Sequence, residues 1–273
     1  MVLTLVPFLV AVIILLPYFH HLAINLIAVI VSVIGGYEAA GFFAAKGWSG
    51  TPLLTPILGA ALPLAAYLEV SGLVPEGIEI PVILVLVAII LVREIFVLGE
   101  QDFPKILPRI ALSITILLYP GLFLTYIVRF STFPNPSISL VVFLLMVFGN
   151  DVLAYVAGSV WGKGSRRVFP VSPNKSLVGF LSGLAGSYII AVAAWFIVPQ
   201  VFMHKLWLML VVAGAVGVTT ILGDLIESAM KRSGELKDSG FVIPGRGGIL
   251  DSIDSVLYAA PVCYYLLAAA AGR

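Results

Sequence analysis

The chain has 273 residues, of which 61% are hydrophobic and 11% charged. A soluble domain carries about 25% charged residues, so this composition excludes an ordinary water-soluble fold and points to a polytopic membrane protein. The net charge of +1 offers no field for a polyanion, and no nucleic-acid partner is expected.

A membrane-crossing helix needs about 20 mostly apolar residues. In chain order, such stretches are expected at nine places: 2–18, 21–44, 52–71, 79–98, 108–130, 138–160, 176–199, 205–229 and 250–271. The first, "VLTLVPFLVAVIILLPY", lacks the basic flank and small-residue cleavage site of a secretory signal, and is read as a retained span. The expected fold is therefore all-α, a polytopic integral membrane protein of about nine transmembrane helices, with no internal repeat. A single domain is expected over 1–273, in which the helices of 1–135 face lipid and form a dimer and those of 136–273 carry the chemistry.

Orientation follows from Lys and Arg. With a cytoplasmic N-terminus, twelve of the fifteen basic residues fall on cytoplasmic connections, and only Arg129, Lys205 and Arg273 fall on the other side. The basic connections 161–175 and 230–249 then face the cytoplasm. His20, His21 and His204 show no metal-ligand spacing, and Cys263 is the single cysteine.

The acids carry the chemistry. An ionised side chain at the centre of a spanning helix costs about 2.5–3.5 kcal/mol on insertion scales, so it faces a partner or a wet cavity. Asp151 lies inside the sixth stretch, in "FGNDVLAY". Asp224, Glu227, Ser228 and Lys231 follow the spacing i, i+3, i+4, i+7 near the end of the eighth, and share one helical face. Asp251, Asp254 and Ser255 repeat the first three positions at the start of the ninth. Paired carboxylates on neighbouring helices suit Mg²⁺, which takes one or two carboxylates and leaves its other positions to water and phosphate. Asp251 and Asp254 equally suit capping of the ninth helix.

Between these acids lies "PGRGG", in which Gly245, Gly247 and Gly248 surround Arg246. Glycines let a backbone approach a ligand closely, and guanidinium with exposed N–H groups binds phosphate. A second basic loop, "WGKGSRRVFPVSPNKSLVGF", lacks the phosphate-loop spacing. There Ser172 or Asn174 is expected to cap the seventh helix, leaving Lys175 near phosphate. Each basic residue taken singly is also what orientation demands.

The run Ser228-x-x-Lys231-Arg232-x4-Lys237-Asp238-Ser239, followed by Pro244-Gly245-x-Gly247-Gly248-x-x-Asp251-x-x-Asp254, resembles the signature of the phosphatidate cytidylyltransferases, the membrane CDP-diacylglycerol synthases. Asp151-x-x-Ala154-Tyr155, Ser172-Pro173-x-Lys175-Ser176 and Gly223-Asp224-x-x-Glu227 match family positions in the same order, and Tyr37-Glu38 is a fainter match. The chain departs from the family pattern at Val178, Arg246 and Ser252, where the family has Glu, His and Arg.

The resemblance implies transfer of a cytidylyl group from CTP to phosphatidate, giving CDP-diacylglycerol and pyrophosphate. It implies catalytic roles for Asp224, Glu227, Lys231, Asp251 and Asp254, the four acids holding Mg²⁺ with a second cation, K⁺ or Mg²⁺. Substrate contacts are implied for Asp151, Ser172, Lys175, Ser176 and Ser228, and further along for Arg232, Lys237, Asp238 and the Gly245–Gly248 turn with Arg246. A homodimer among membrane lipids, in the cell's inner membrane with its active site on the cytoplasmic side, is expected. The alternatives are an ion-coupled transporter, or a cytidylyltransferase acting on another lipid phosphate.

Overall fold

The computed structural model describes residues 21–48, 53–96, 99–162, 164–167, 169–173, 175–243 and 247–272. Its α-helices are α1 (Leu22–Ala44), α2 (Leu54–Val70), α3 (Glu79–Arg93), α4 (Ile106–Ile116), α5 (Phe123–Arg129), α6 (Pro136–Trp161), α7 (Leu177–Ile197), α8 (Leu206–Ser233) and α9 (Leu250–Ala270). No strand is present among the described residues; the isolated bridges are Arg167–Ser176 and Ile243–Gly247. The chain is an all-α, polytopic integral membrane protein.

Six helical runs among the described residues are long and apolar enough to cross a membrane: α1, the continuous run Glu100–Thr132, α6, α7, α8 and α9. The expected count of nine is not reached among them. The stretches at 52–71 and 79–98 form helices of only 17 and 15 residues. At about 1.5 Å per residue these measure roughly 22–26 Å, short of a hydrocarbon core of about 30 Å. The stretch 2–18 lies outside the described residues. The stretch expected at 108–130 is interrupted between α4 and α5 by a π-helical segment, Leu117–Leu122, that contains Pro120. Proline donates no N–H and its ring displaces the preceding turn's carbonyl, and the wider π turn absorbs both without breaking the run.

The described residues group into two compact units. One holds 132–229 and 253–272. Within it α6 and α7 pack closely, meeting along small residues. A β-carbon on Gly183 would stand 2.5 Å from Asn150 Oδ1, and one on Gly186 would stand 2.7 Å from the Gly149 carbonyl oxygen. Close backbone approach of this kind is how membrane helices gain packing where no water is left to expel. Buried Asn150 then ties three helices: its Nδ2 donates to Ser187 Oγ on α7 and to the Gly217 carbonyl on α8, each at 3.1 Å.

The other unit holds 21–131 and 230–252, so the segment between α8 and α9 groups with the N-terminal helices. Here α1 and α2 pack so closely that a β-carbon on Gly59 would meet the Ser32 carbonyl at 2.9 Å. The Ser32 hydroxyl donates to the Gly59 carbonyl at 2.6 Å. Arg129 clamps Glu69 and Glu79 at the α2–α3 turn.

Candidate active site

In the first unit, α8 and α9 come together at a glycine. A β-carbon on Gly223 would stand 2.5 Å from the Asp254 carbonyl oxygen and 3.0 Å from Tyr258 Cβ. The residue next to that glycine is Asp224, so the close approach brings the acids of both helices to one level. Glu227 is fully buried, Asp254 is buried, and Asp224 is about one third exposed at 34%. Asp254 Oδ1 accepts the N–H of Ser255 at 2.6 Å. The Ser255 hydroxyl reaches Asp151 Oδ1 on α6 at 3.5 Å.

Lys175 is ion-paired with Asp224. Its position follows from the loop that leads into α7. Arg167 bridges Ser176, the Arg166 carbonyl accepts Leu177 N–H at 3.1 Å, and Arg167 Nη1 donates to the Pro173 carbonyl at 2.6 Å. This folds the loop back on the helix start. The cap differs from expectation: it is Ser176, extended at φ −105° and ψ 154°, whose hydroxyl accepts Gly179 N–H at 3.1 Å. Ser172 is not the cap; its carbonyl accepts Lys175 N–H at 3.1 Å in a turn that precedes the helix. Bridging to Arg167 fixes Ser176 in the extended conformation that a capping residue needs.

Helix α8 runs on to Ser233, so Ser228 of the first unit and Lys231 and Arg232 of the second are helical. Lys231 Nζ is ion-paired with Asp251 Oδ1. Asp251 Oδ2 accepts two more hydrogen bonds, from Ser239 N at 2.8 Å and Gly248 N at 2.7 Å, and lies 2.9 Å from the Ser239 hydroxyl. The bond to Gly248 reaches back over the helix start, so the capping role considered for Asp251 is present together with the charge pair. Gly247, at φ +105°, sits in the left-handed region that favours glycine, and its exchange of hydrogen bonds with Ile243 closes the turn. Arg232, Lys237 and Asp238 are exposed. Gly245 and Arg246 lie outside the described residues.

One residue of this cluster falls outside the sequence-derived set. Glu38 of α1 is buried, and its carboxylate accepts Ile249 N, Leu250 N and Ser239 Oγ at 2.8, 2.8 and 3.0 Å. The signal was an acid inside an otherwise apolar span, at a fainter point of the resemblance. Nothing local announces its partners, which are about 200 residues away.

Two signature lysines thus meet signature acids, Lys175 with Asp224 in the first unit and Lys231 with Asp251 in the second. Helix α8 carries Asp224, Glu227 and Lys231, and α9 carries Asp251 and Asp254. Among the described residues no group of three or more His, Cys, Asp or Glu side chains comes together as a metal site. The donor chemistry nonetheless fits Mg²⁺, a hard cation that needs only one or two carboxylates beside water and phosphate oxygens.

A helical membrane protein with paired lysines and carboxylates at helix ends has the equipment of an enzyme that handles phosphates at the bilayer surface. The chain belongs to the Cytidylyltransferase family, whose sequence model matches residues 2–270. It is 31% identical over 210 residues to the phosphatidate cytidylyltransferase of Bacillus subtilis, covering 74% of this chain and 72% of that protein. It is 41% identical over 124 residues to that of Staphylococcus haemolyticus, covering 45% and 46% of the two chains. It is 36% identical over 141 residues to that of Synechocystis, covering 50% and 45%.

Proposed function

We propose that this protein transfers a cytidylyl group from CTP to phosphatidate, releasing pyrophosphate and forming CDP-diacylglycerol. The observation that carries this reading is the family match across nearly the whole chain, with relatives named for that activity. These relatives favour it over ion-coupled transport.

The reaction asks little proton chemistry of the protein. A phosphate oxygen of phosphatidate, already anionic, attacks the α-phosphorus of CTP. A P–O–P anhydride forms, and the bond from the α-phosphorus to the bridging oxygen breaks, its electron pair leaving with pyrophosphate. The enzyme must hold two anions together and stabilise the charge on the leaving group. Lys175, Lys231, Arg232, Lys237 and Arg246 hold the phosphates as point charges or guanidinium forks. Gly247 and Gly248 let backbone N–H groups approach them. Asp151, Ser172, Ser176, Ser228 and Asp238 complete the substrate contacts by hydrogen bonding and by orienting the cations.

Asp224, Glu227, Asp251 and Asp254 are the residues that would hold Mg²⁺, with K⁺ or a second Mg²⁺ beside it. Bound there, the cation would supply charge neutralisation at the phosphates. The basic connections, by their Lys and Arg content, support a reaction at the cytoplasmic face of the cell's inner membrane, with CTP arriving from the cytoplasm and the lipid from the bilayer. The protein works as a homodimer paired through its N-terminal helices.

The test is incubation of purified protein with labelled CTP, Mg²⁺ and phosphatidate. Label is expected in the lipid phase only when all three are present. Label with a polyprenyl phosphate and none with phosphatidate would shift the acceptor, and no lipid label with either would end the enzymatic reading. Omitting Mg²⁺ tests the cation, and light scattering in detergent tests the dimer.

A further inference from the structure

Glu38 sits at the centre of a buried polar cluster of the second unit, yet it has no part in the chemistry above. Both of its oxygens are occupied: Oε1 accepts Ile249 N–H, and Oε2 accepts Leu250 N–H with the Ser239 hydroxyl 3.0 Å away. These two amides open α9. Ile249, at the cap position, has no side chain able to accept them, and the first N–H groups of a helix have no partner within it. A carboxylate from another helix therefore performs the cap, where the positive end of the α9 dipole also favours its charge.

The surrounding backbone is shaped around this carboxylate. A β-carbon on Gly240 would stand 2.7 Å from Glu38 Oε1, and one on Gly248 would fall on the Ser239 hydroxyl and on Glu38 Oε2. Two glycines of the α8–α9 loop are thus required by Glu38 and its partner. Ser239 joins this cap to Asp251: its hydroxyl lies 2.9 Å from Asp251 Oδ2, and its N–H donates to the same oxygen at 2.8 Å. With Oδ2 held in this way, Oδ1 is turned to Lys231.

We propose that Glu38 is a positioning residue for cytidylyl transfer, capping α9 from α1 and, through Ser239, fixing the orientation of the Asp251 carboxylate. With both oxygens occupied it does not touch substrate. The proposal rests on the assignment of Asp251 to the reaction, but the cap can be tested apart from it.

Glu38→Gln keeps the size of the side chain but turns an amide donor toward groups that are themselves donors. Hydrogen exchange of one or both of the Ile249 and Leu250 amides is expected to quicken by at least about tenfold, because the amide nitrogen that replaces one carboxylate oxygen cannot accept. Turnover per folded molecule is expected to fall about 10–100-fold with KM for CTP within about twofold, as for a displaced reacting group. Glu38→Asp, which keeps the charge, recovers part of that loss. Ser239→Ala provides a second route should Glu38→Gln fail to fold. It leaves the two amides capped and is expected to lower turnover without quickening their exchange. The double variant should be no worse than the poorer single one, because both act along one chain of contacts. Unchanged exchange in Glu38→Gln would refute the cap. Wild-type turnover in Ser239→Ala, or fully additive losses, would refute the link to Asp251. If the wild-type protein transfers no cytidylyl group, the functional reading fails while the exchange result still decides the cap.

Discussion

Gly223 of α8 lies against the backbone carbonyl of Asp254 of α9, with room for a hydrogen but not for a methyl group: a β-carbon there would stand 2.5 Å from that oxygen. The neighbour of the glycine is Asp224. Gly223→Ala is therefore expected to push α8 and α9 apart at the level of the acids. Overpacking of this kind costs about 1–3 kcal/mol. Thermal unfolding in detergent should show the lower stability, and cytidylyl transfer should drop by more than tenfold. Wild-type values in both would show that the helices can yield at that point without consequence.

Asp224→Asn and Asp251→Asn remove a carboxylate from each lysine–carboxylate pair. Both variants should insert and elute as the wild type on size exclusion, and both should lose transfer of label from CTP to lipid. Asp251→Asn must turn its NH2 either toward the N–H groups of Ser239 and Gly248 or toward Lys231, all donors, and should be the less stable of the two. Near-normal transfer in both would remove these acids from the mechanism.

Arg246→His places at that position the residue that the family resemblance leads one to expect. Substantial activity should remain, measured as kcat with CTP varied. Complete loss would mean that this protein has built its phosphate contact around a guanidinium, which holds phosphate through a planar fork that imidazole cannot reproduce.

Asn150→Ala removes two hydrogen bonds that tie α6 to α7 and α8. Interhelical hydrogen bonds in membranes are worth about 0.6 kcal/mol on average, up to about 1.7. Reversible unfolding in mixed detergent should show a loss of roughly 1–2 kcal/mol. The activity of the folded fraction should persist, since Asn150 touches none of the proposed reacting groups.

Glu235, in the loop after α8, is ion-paired with Lys46 after α1, and that ammonium holds its carboxyl below the usual value of 4.5. A depressed carboxyl contributes stability above its unfolded value and loses it as pH falls through the folded one. Glu235 is fully exposed, so solvent screens the effect and 0.5 M salt should abolish it. Carboxyl titration by NMR should show the Glu235 midpoint returning to the ordinary range in Lys46→Met.

How much was legible in the sequence differs from element to element. The spans expected at 21–44, 138–160, 176–199 and 250–271 appear as α1, α6, α7 and α9 with ends shifted by at most two residues, because a long apolar run in a polar-poor chain has only one stable conformation in a bilayer. The eighth runs on to Ser233, since Lys231 and Arg232 suit a helix C-terminus as well as a loop. The span at 52–71 appears as α2 with ends shifted by at most two residues, and that at 79–98 as α3, which passes at Glu94 into a 3-10 turn, Glu94–Phe96; hydropathy measures composition, and the charged residues gathered around Arg129 and Glu94 lie at their ends. The cap of α7 was misplaced because Ser172, Asn174 and Ser176 have equal local claims, and only the bridge to Arg167 selects among them.

By itself the sequence determined the membrane class, the family and the acids and lysines of its signature, because composition and residue spacing are properties of the chain read along its length. The tertiary structure alone decided that Lys175 meets Asp224, that Lys231 meets Asp251, and that Glu38 holds the start of α9. Those partners are brought together by helix packing through glycines and by buried donors seeking acceptors, and neither force leaves a local pattern in the residues it joins.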